Sequence, residues 1–110
     1  MATSVMDSLV TPAELPDPQL TEERMRRARD ARLRVVLADH APVWLIEEAV
    51  DPISQTVISD LLFLDRRGWV RRRYLYDAEV DVLHFRGDEV VSSEEAARLR
   101  ARGRLLVDDD

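Results

Sequence analysis

Residues 52–73 limit the fold more than any other stretch: Pro-Ile-Ser-Gln-Thr-Val-Ile-Ser-Asp-Leu-Leu-Phe-Leu-Asp-Arg-Arg-Gly-Trp-Val-Arg-Arg-Arg. Between Pro52 and Gly68 nothing breaks a helix. Ile53, Val57, Leu61 and Leu64 recur on one helical face, with Ile58 and Leu62 beside them. Proline is tolerated at the first helical position and glycine is the common stop. The spacing therefore predicts a helix from Ile53 or Ser54 to Arg67, capped by Gly68. Trp69 to Tyr76 is aromatic and β-branched and reads as a strand. Asp77-Ala78-Glu79 is its turn, and Val80 to Phe85 is the returning strand.

The flanking segments extend this outline. Residues 1–20 hold three of the five prolines (Pro12, Pro16 and Pro18) and few large apolar groups. They read as a flexible acidic tail, with Val5, Met6, Leu9 and Val10 available to cover a groove or a sheet edge. Thr21 is a suitable N-cap, and Met25, Ala28, Arg32 and Val36, with Leu33 and Leu37 alongside, give a helical period to about Ala38. Five arginines (Arg24, Arg26, Arg27, Arg29 and Arg34) fall largely off that stripe, as a solvated face or a phosphate-facing one. Pro42 separates this helix from a short second one over Val43–Val50. Arg86-Gly87-Asp88 is expected to turn, and Val90-Val91 to be briefly extended. Ser92 or Ser93 caps a last helix that runs to about Arg102 and stops at Gly103. The domain is expected over residues 21–107, with 108–110 an acidic end.

Composition narrows the chemistry. A chain of 110 residues, 45% apolar, is sized for one self-sufficient domain. There is no cysteine, which excludes disulfides, thiolate metal sites and thiol catalysis and fits the cytoplasm expected here. Met1–Val10 has neither the basic start nor the apolar core of a signal peptide, and no apolar run is long enough to span a bilayer. His40 and His84 lack metal-ligand neighbours at helical spacing. Three glycines form no phosphate loop, and no serine sits in a nucleophile elbow. An enzyme, a cofactor and a metal are not expected. All sixteen basic residues are arginine. Net charge runs from -5 over residues 1–23, through +4 over 24–76, to -5 over 77–110. This layout motivates an expectation that the acidic ends screen the basic middle.

Three pieces, Val35-Val36-Leu37, Trp44-Leu45-Ile46 and Ser54-Gln55-Thr56-Val57-Ile58-Ser59 with Leu61, lead to the junction Leu64-Asp65-Arg66-Arg67-Gly68-Trp69-Val70. Over about residues 32–85 the chain resembles the winged helix-turn-helix superfamily of small bacterial regulators. The resemblance implies an α+β winged helix: a three-helix core, a two-stranded β-wing and an additional C-terminal helix. It implies a homodimeric transcription regulator that binds duplex DNA. Ser54, Gln55, Thr56 and Ser59 would face the groove, and Arg66, Arg67, Arg71, Arg72 and Arg73 the backbone. Asp60 and Phe63 on the groove-facing side, and the acidic wing tip Asp77, Glu79 and Asp81, depart from the pattern. Strand alternation also separates Arg71 and Arg73 from Arg72. The alternative is a winged helix used for protein–protein contact or dimerisation through Phe63, Tyr74 and Tyr76.

Overall fold

The computed structural model describes residues 18–106. Most of the expected tail (1–17) and the acidic end with Val107 (107–110) lie outside the described residues, while residues 18–20 open the first helix. In chain order the elements are α1 (Pro18–Val36), β1 (Val43–Asp51), β2 (Thr56–Asp65), β3 (Gly68–Asp77), β4 (Val82–Val91), α2 (Ser93–Arg102) and β5 (Arg104–Leu106). The strands form one antiparallel sheet in the order β4-β3-β2-β1-β5.

This overturns the winged helix. The two segments expected to complete a three-helix core, Val43–Val50 and Ile53–Arg67, are β1, a hairpin turn and β2. The physical reason lies in β2, the central strand of the five. Its odd positions, Val57, Ser59, Leu61 and Phe63, face α1. Its even positions face the other side, where Leu62 is buried under α2. Where both faces are covered, from Leu61 to Phe63, the strand reads as an unbroken apolar run, which periodicity alone does not separate from a helix. Pro52 sits in the β1–β2 turn rather than at a helix start. There Asp51 Oδ1 accepts from the backbone N–H of Ile53 (3.0 Å) and Ser54 (3.3 Å), and Gln55 takes φ 59°. Gly68 stands at the closing pair of the β2–β3 hairpin with φ +112°, a conformation that penalises any Cβ.

The β3–β4 hairpin is present, with β4 longer than expected. It passes through Arg86–Asp88 as one strand, its register shifted by a bulge opposite Arg73/Tyr74. The last helix matches its sequence signals: Ser92 Oγ accepts from Glu95 N at 3.1 Å, and Glu94 and Glu95 occupy the first turn.

Helix α1 lies across one sheet face on a stripe of Met25, Arg29 and Leu33, continued by Leu37 in the turn that follows, all at most 5% exposed. Leu33 and Leu37 pack on Val43, Leu45, Leu61, Phe63, Val70 and Tyr74, and Met25 on Val57 and Tyr76. Arg29, expected off the apolar stripe, is fully buried within it. Its Nη1 donates to Ser59 Oγ (2.6 Å), its Nε to Asp30 Oδ1 (2.8 Å), and its Nη2 lies 3.5 Å from Glu48 Oε1. Helix α2 covers the opposite face at one end only. Ala96 and Leu99 pack on Ile46 and Leu62, with Trp44, Trp69 and Val91 around them. Arg100 stacks 5.5 Å from the Trp44 ring and 4.4 Å from that of Trp69. No helix among the described residues is long and apolar enough to cross a membrane.

Candidate functional site

A ten-residue helix is only about 15 Å long. α2 therefore leaves the other half of its sheet face open. Strand register fixes what that face shows. One row across β1–β4 is Ala49, Ile58, Leu75 and His84; the row nearer α2 is Glu47, Asp60, Arg73 and Gly87; the row at the far rim is Asp51, Thr56, Asp77 and Val82. An apolar strip thus lies between a mixed-charge row and an acidic one.

The mixed row contains the most organised polar cluster of the face. Asp60 is 2% exposed and takes four hydrogen bonds from two arginines of the neighbouring strand. Arg73 Nε donates to Oδ1 at 2.6 Å and its Nη2 to Oδ2 at 3.0 Å. Arg71 Nε and Nη2 reach Oδ2 at 3.0 and 2.7 Å, and its Nη2 also meets Glu47 Oε1 at 2.9 Å. Burial pushes the Asp60 carboxyl pKa up. The hydrogen bonds and charges of Arg73 and Arg71 outweigh it and hold the group below its ordinary value, so it is ionised. Beside this clamp is an open concavity of about 510 Å³, lined by Asp60, Arg71, Arg73, Arg86 and the Gly87–Glu89 stretch of β4.

Arg72 alternates to the α1 face. Its Nε and Nη2 hold Asp88 at 2.7 and 2.9 Å, and its guanidinium lies 5.0 Å from the Phe63 ring and 5.3 Å from that of Phe85. Arg67 shares Asp88 (2.9 Å) and also holds Asp65 (2.7 Å). At the β3–β4 turn, Asp81 accepts from Tyr76 Oη (2.6 Å) and from Arg32 of α1, which takes its carboxyl down to about 2.

The residues expected to share a DNA-facing surface are therefore dispersed. Ser54, Gln55 and Thr56 sit at the start of β2 and Arg66 and Arg67 at its end, about 30 Å apart at strand rise. Ser59 is buried under α1. Phe63, Tyr74 and Tyr76, expected at a partner surface, are at most 5% exposed and belong to the core. Only Arg71 and Arg73 stand together on the open face. Sequence reading missed Glu47 and Arg86 there, and took Asp60 as a misplaced charge on a helix. The signal for Asp60 was the β2–β3 hairpin itself: once Asp65 pairs with Gly68, Asp60 falls opposite Arg73. Among the described residues no group of three or more His, Asp or Glu converges to hold a metal ion. The chain matches no protein-family model, and neither a curated protein nor a solved structure matches it.

Proposed function

We propose that this chain is a protein-interaction module that docks a partner protein on the open half of its sheet and carries out no chemical step. The observation that supports this is the uncovered strip of Ile58 and Leu75 and its continuation to the nearby turns. Ile58 is 38% exposed, Val82 41%, Val80 59% and Ile53 94%, all towards the end that α2 leaves bare. The two turns are tied there by Ala78 N donating to Gln55 O at 2.8 Å. Scattered exposed apolar residues are ordinary, but a contiguous set rimmed by charge marks a partner surface. Charge complementarity describes the occupant. It brings an apolar strip, a basic group towards Asp51 and Asp77, and an acidic group towards Arg73 and Arg86. The absence of cysteine accords with a cytoplasmic setting. Duplex DNA is the weaker partner, because four of the five arginines meant for phosphate, Arg67, Arg71, Arg72 and Arg73, are held by carboxylates of the same fold.

The test is cross-linked capture from source-cell lysate with the wild type, Ile58→Asp, and Val35→Ser on the exposed side of α1. A species captured by the wild type and by Val35→Ser, and lost with Ile58→Asp, is the expected result. Equal capture by all three, or no specific capture, overturns the proposal.

A further inference from the structure

The Asp60 clamp makes poor sense as a device for stability alone. Desolvating a carboxylate is costly, and apolar residues of similar volume usually serve a buried position as well or better. What the clamp does achieve is orientation. Four hydrogen bonds to one buried carboxylate fix two long side chains that would otherwise sample many rotamers. Side chains locked in this way are a feature of binding sites rather than of passive surfaces.

Donors are left over. The Nη1 groups of Arg71 and Arg73 make no hydrogen bond within the described residues, and Arg73 stays 52% exposed. Across the same concavity Arg86 has no hydrogen-bond or ion-pair partner among the described residues. The bulge brings it there. Gly87, at φ +138°, lies opposite Arg73 in the register, and Arg86 joins Arg73, Asp60 and Glu89 in lining one cavity. Glu47, which also meets Arg71, is shared with Arg102 at 3.9 Å, so Arg71, Arg73 and Arg102 against Asp60 and Glu47 leave a single positive charge around the clamp. Arg86 and Glu89 cancel each other. Asp88 is already neutralised by Arg72 on the opposite face. One negative charge therefore completes the site, and a second would meet Glu89 and Glu47.

We propose that the concavity between Arg73 and Arg86 is a carboxylate-binding site, and that its occupant is an aspartate or glutamate side chain of the docked protein. Asp60 is its positioning residue. The planar fork of a free guanidinium matches a carboxylate bidentately. The site rests on the interaction-module reading for its biological occupant, but its chemistry is testable without any partner.

The experiment follows the arginine Nε–Hε signals of the full chain by ¹H–¹⁵N spectroscopy during titration with sodium acetate. Inorganic phosphate is a parallel arm and sodium chloride at matched ionic strength the blank. Saturable shifts of the Arg73 and Arg86 signals with acetate are expected. Arg86→Ala, a change at an exposed position, should weaken acetate by about tenfold through loss of a charged hydrogen-bonded pair. In Asp60→Asn, loss of the acetate response with the fold retained supports the positioning role. Shifts that grow linearly as they do with chloride, or acetate binding unchanged in Arg86→Ala, overturn the site. Saturation by phosphate more tightly than by acetate overturns the carboxylate assignment. Acetate binding at the cradle together with unchanged capture by Ile58→Asp would reject the docking face and leave the site standing, so the two failures are distinguishable.

Discussion

Asp60 shows how far one residue's meaning depends on the backbone around it. On a helix it would point an acid at DNA; on β2 it anchors two arginines of the adjacent strand. Asp60→Ala strips Arg71 and Arg73 of their shared counter-charge. A broken, fully buried pair costs about 3–5 kcal/mol. Arg73 is half in water, so screening lowers the expected loss here to about 2–3 kcal/mol. Replacing the whole cluster with apolar side chains (Asp60→Leu, Arg71→Leu and Arg73→Val together) should leave stability within about 1 kcal/mol of wild type or raise it. Urea denaturation compares the two. A triple variant as unstable as Asp60→Ala would show that the cluster serves the fold itself. Tyr76 offers a second check at this scale. Burial first, and then its hydrogen bond to Asp81, raise its phenol from 10.0 to about 12. A pKa raised in the folded state favours the protonated form. Its stabilisation is complete below pH 10 and is lost as the pH rises towards 12. Denaturation curves across that window should show the loss in wild type and a flatter profile in Tyr76→Phe.

Among the elements, α2 and β3 were legible and β1 and β2 were not. Ser92 with Glu94 and Glu95 is a local capping signal, which holds whatever the rest of the chain does. Trp69–Tyr76 mixes aromatic and β-branched residues in a way that suits a strand. In β1 and β2 the neighbours Leu45 and Ile46, and Leu61 and Leu62, are buried on opposite faces, under α1 and α2, which depends on helices distant in sequence. The β2 run contains Thr56, Val57 and Ile58, a hint of strand preference that the helical period of its leucines overrode. Gly103 marks the end of α2 as its position foretold, but for another reason. Its φ is -92°, so no left-handed cap is made. A Cβ there would sit 3.0 Å from Leu45 O, 3.1 Å from Leu99 O and 3.0 Å from Ile46 Cγ2. Two of these neighbours are backbone, which yields little. Gly103→Ala should therefore cost about 1–3 kcal/mol by overpacking the joint between α2, β1 and β5. A thermal-melt series checks it, and a variant as stable as wild type would mean that the joint opens freely.

At the scale of the whole molecule, the charge layout of the sequence is partly consumed by folding. In the sequence, the arginine-rich middle reads as a phosphate-binding surface. Yet at least ten of the sixteen arginines form ion pairs within the folded chain, among them Arg67, Arg71, Arg72 and Arg73 of the β2–β3 hairpin. Strand alternation then divides that group between the two sheet faces. Affinity for duplex DNA comes from phosphates neutralised together on one surface, and each contributes to the salt dependence. A guanidinium already paired with a carboxylate releases few counterions on binding, and arginines on opposite faces do not act as one patch. Fluorescence anisotropy against random duplex DNA should accordingly show no saturating binding even at low ionic strength. Removing residues 1–17, with Asp7, Glu14 and Asp17, should change nothing, because the carboxylates that occupy the hairpin arginines belong to the sheet. Binding with a steep salt slope would mean that the pairs open to phosphate. Binding that appears only after the deletion would restore the idea of an acidic segment that screens the arginines. Either outcome would move the functional surface from the Ile58–Leu75 strip to the guanidiniums themselves.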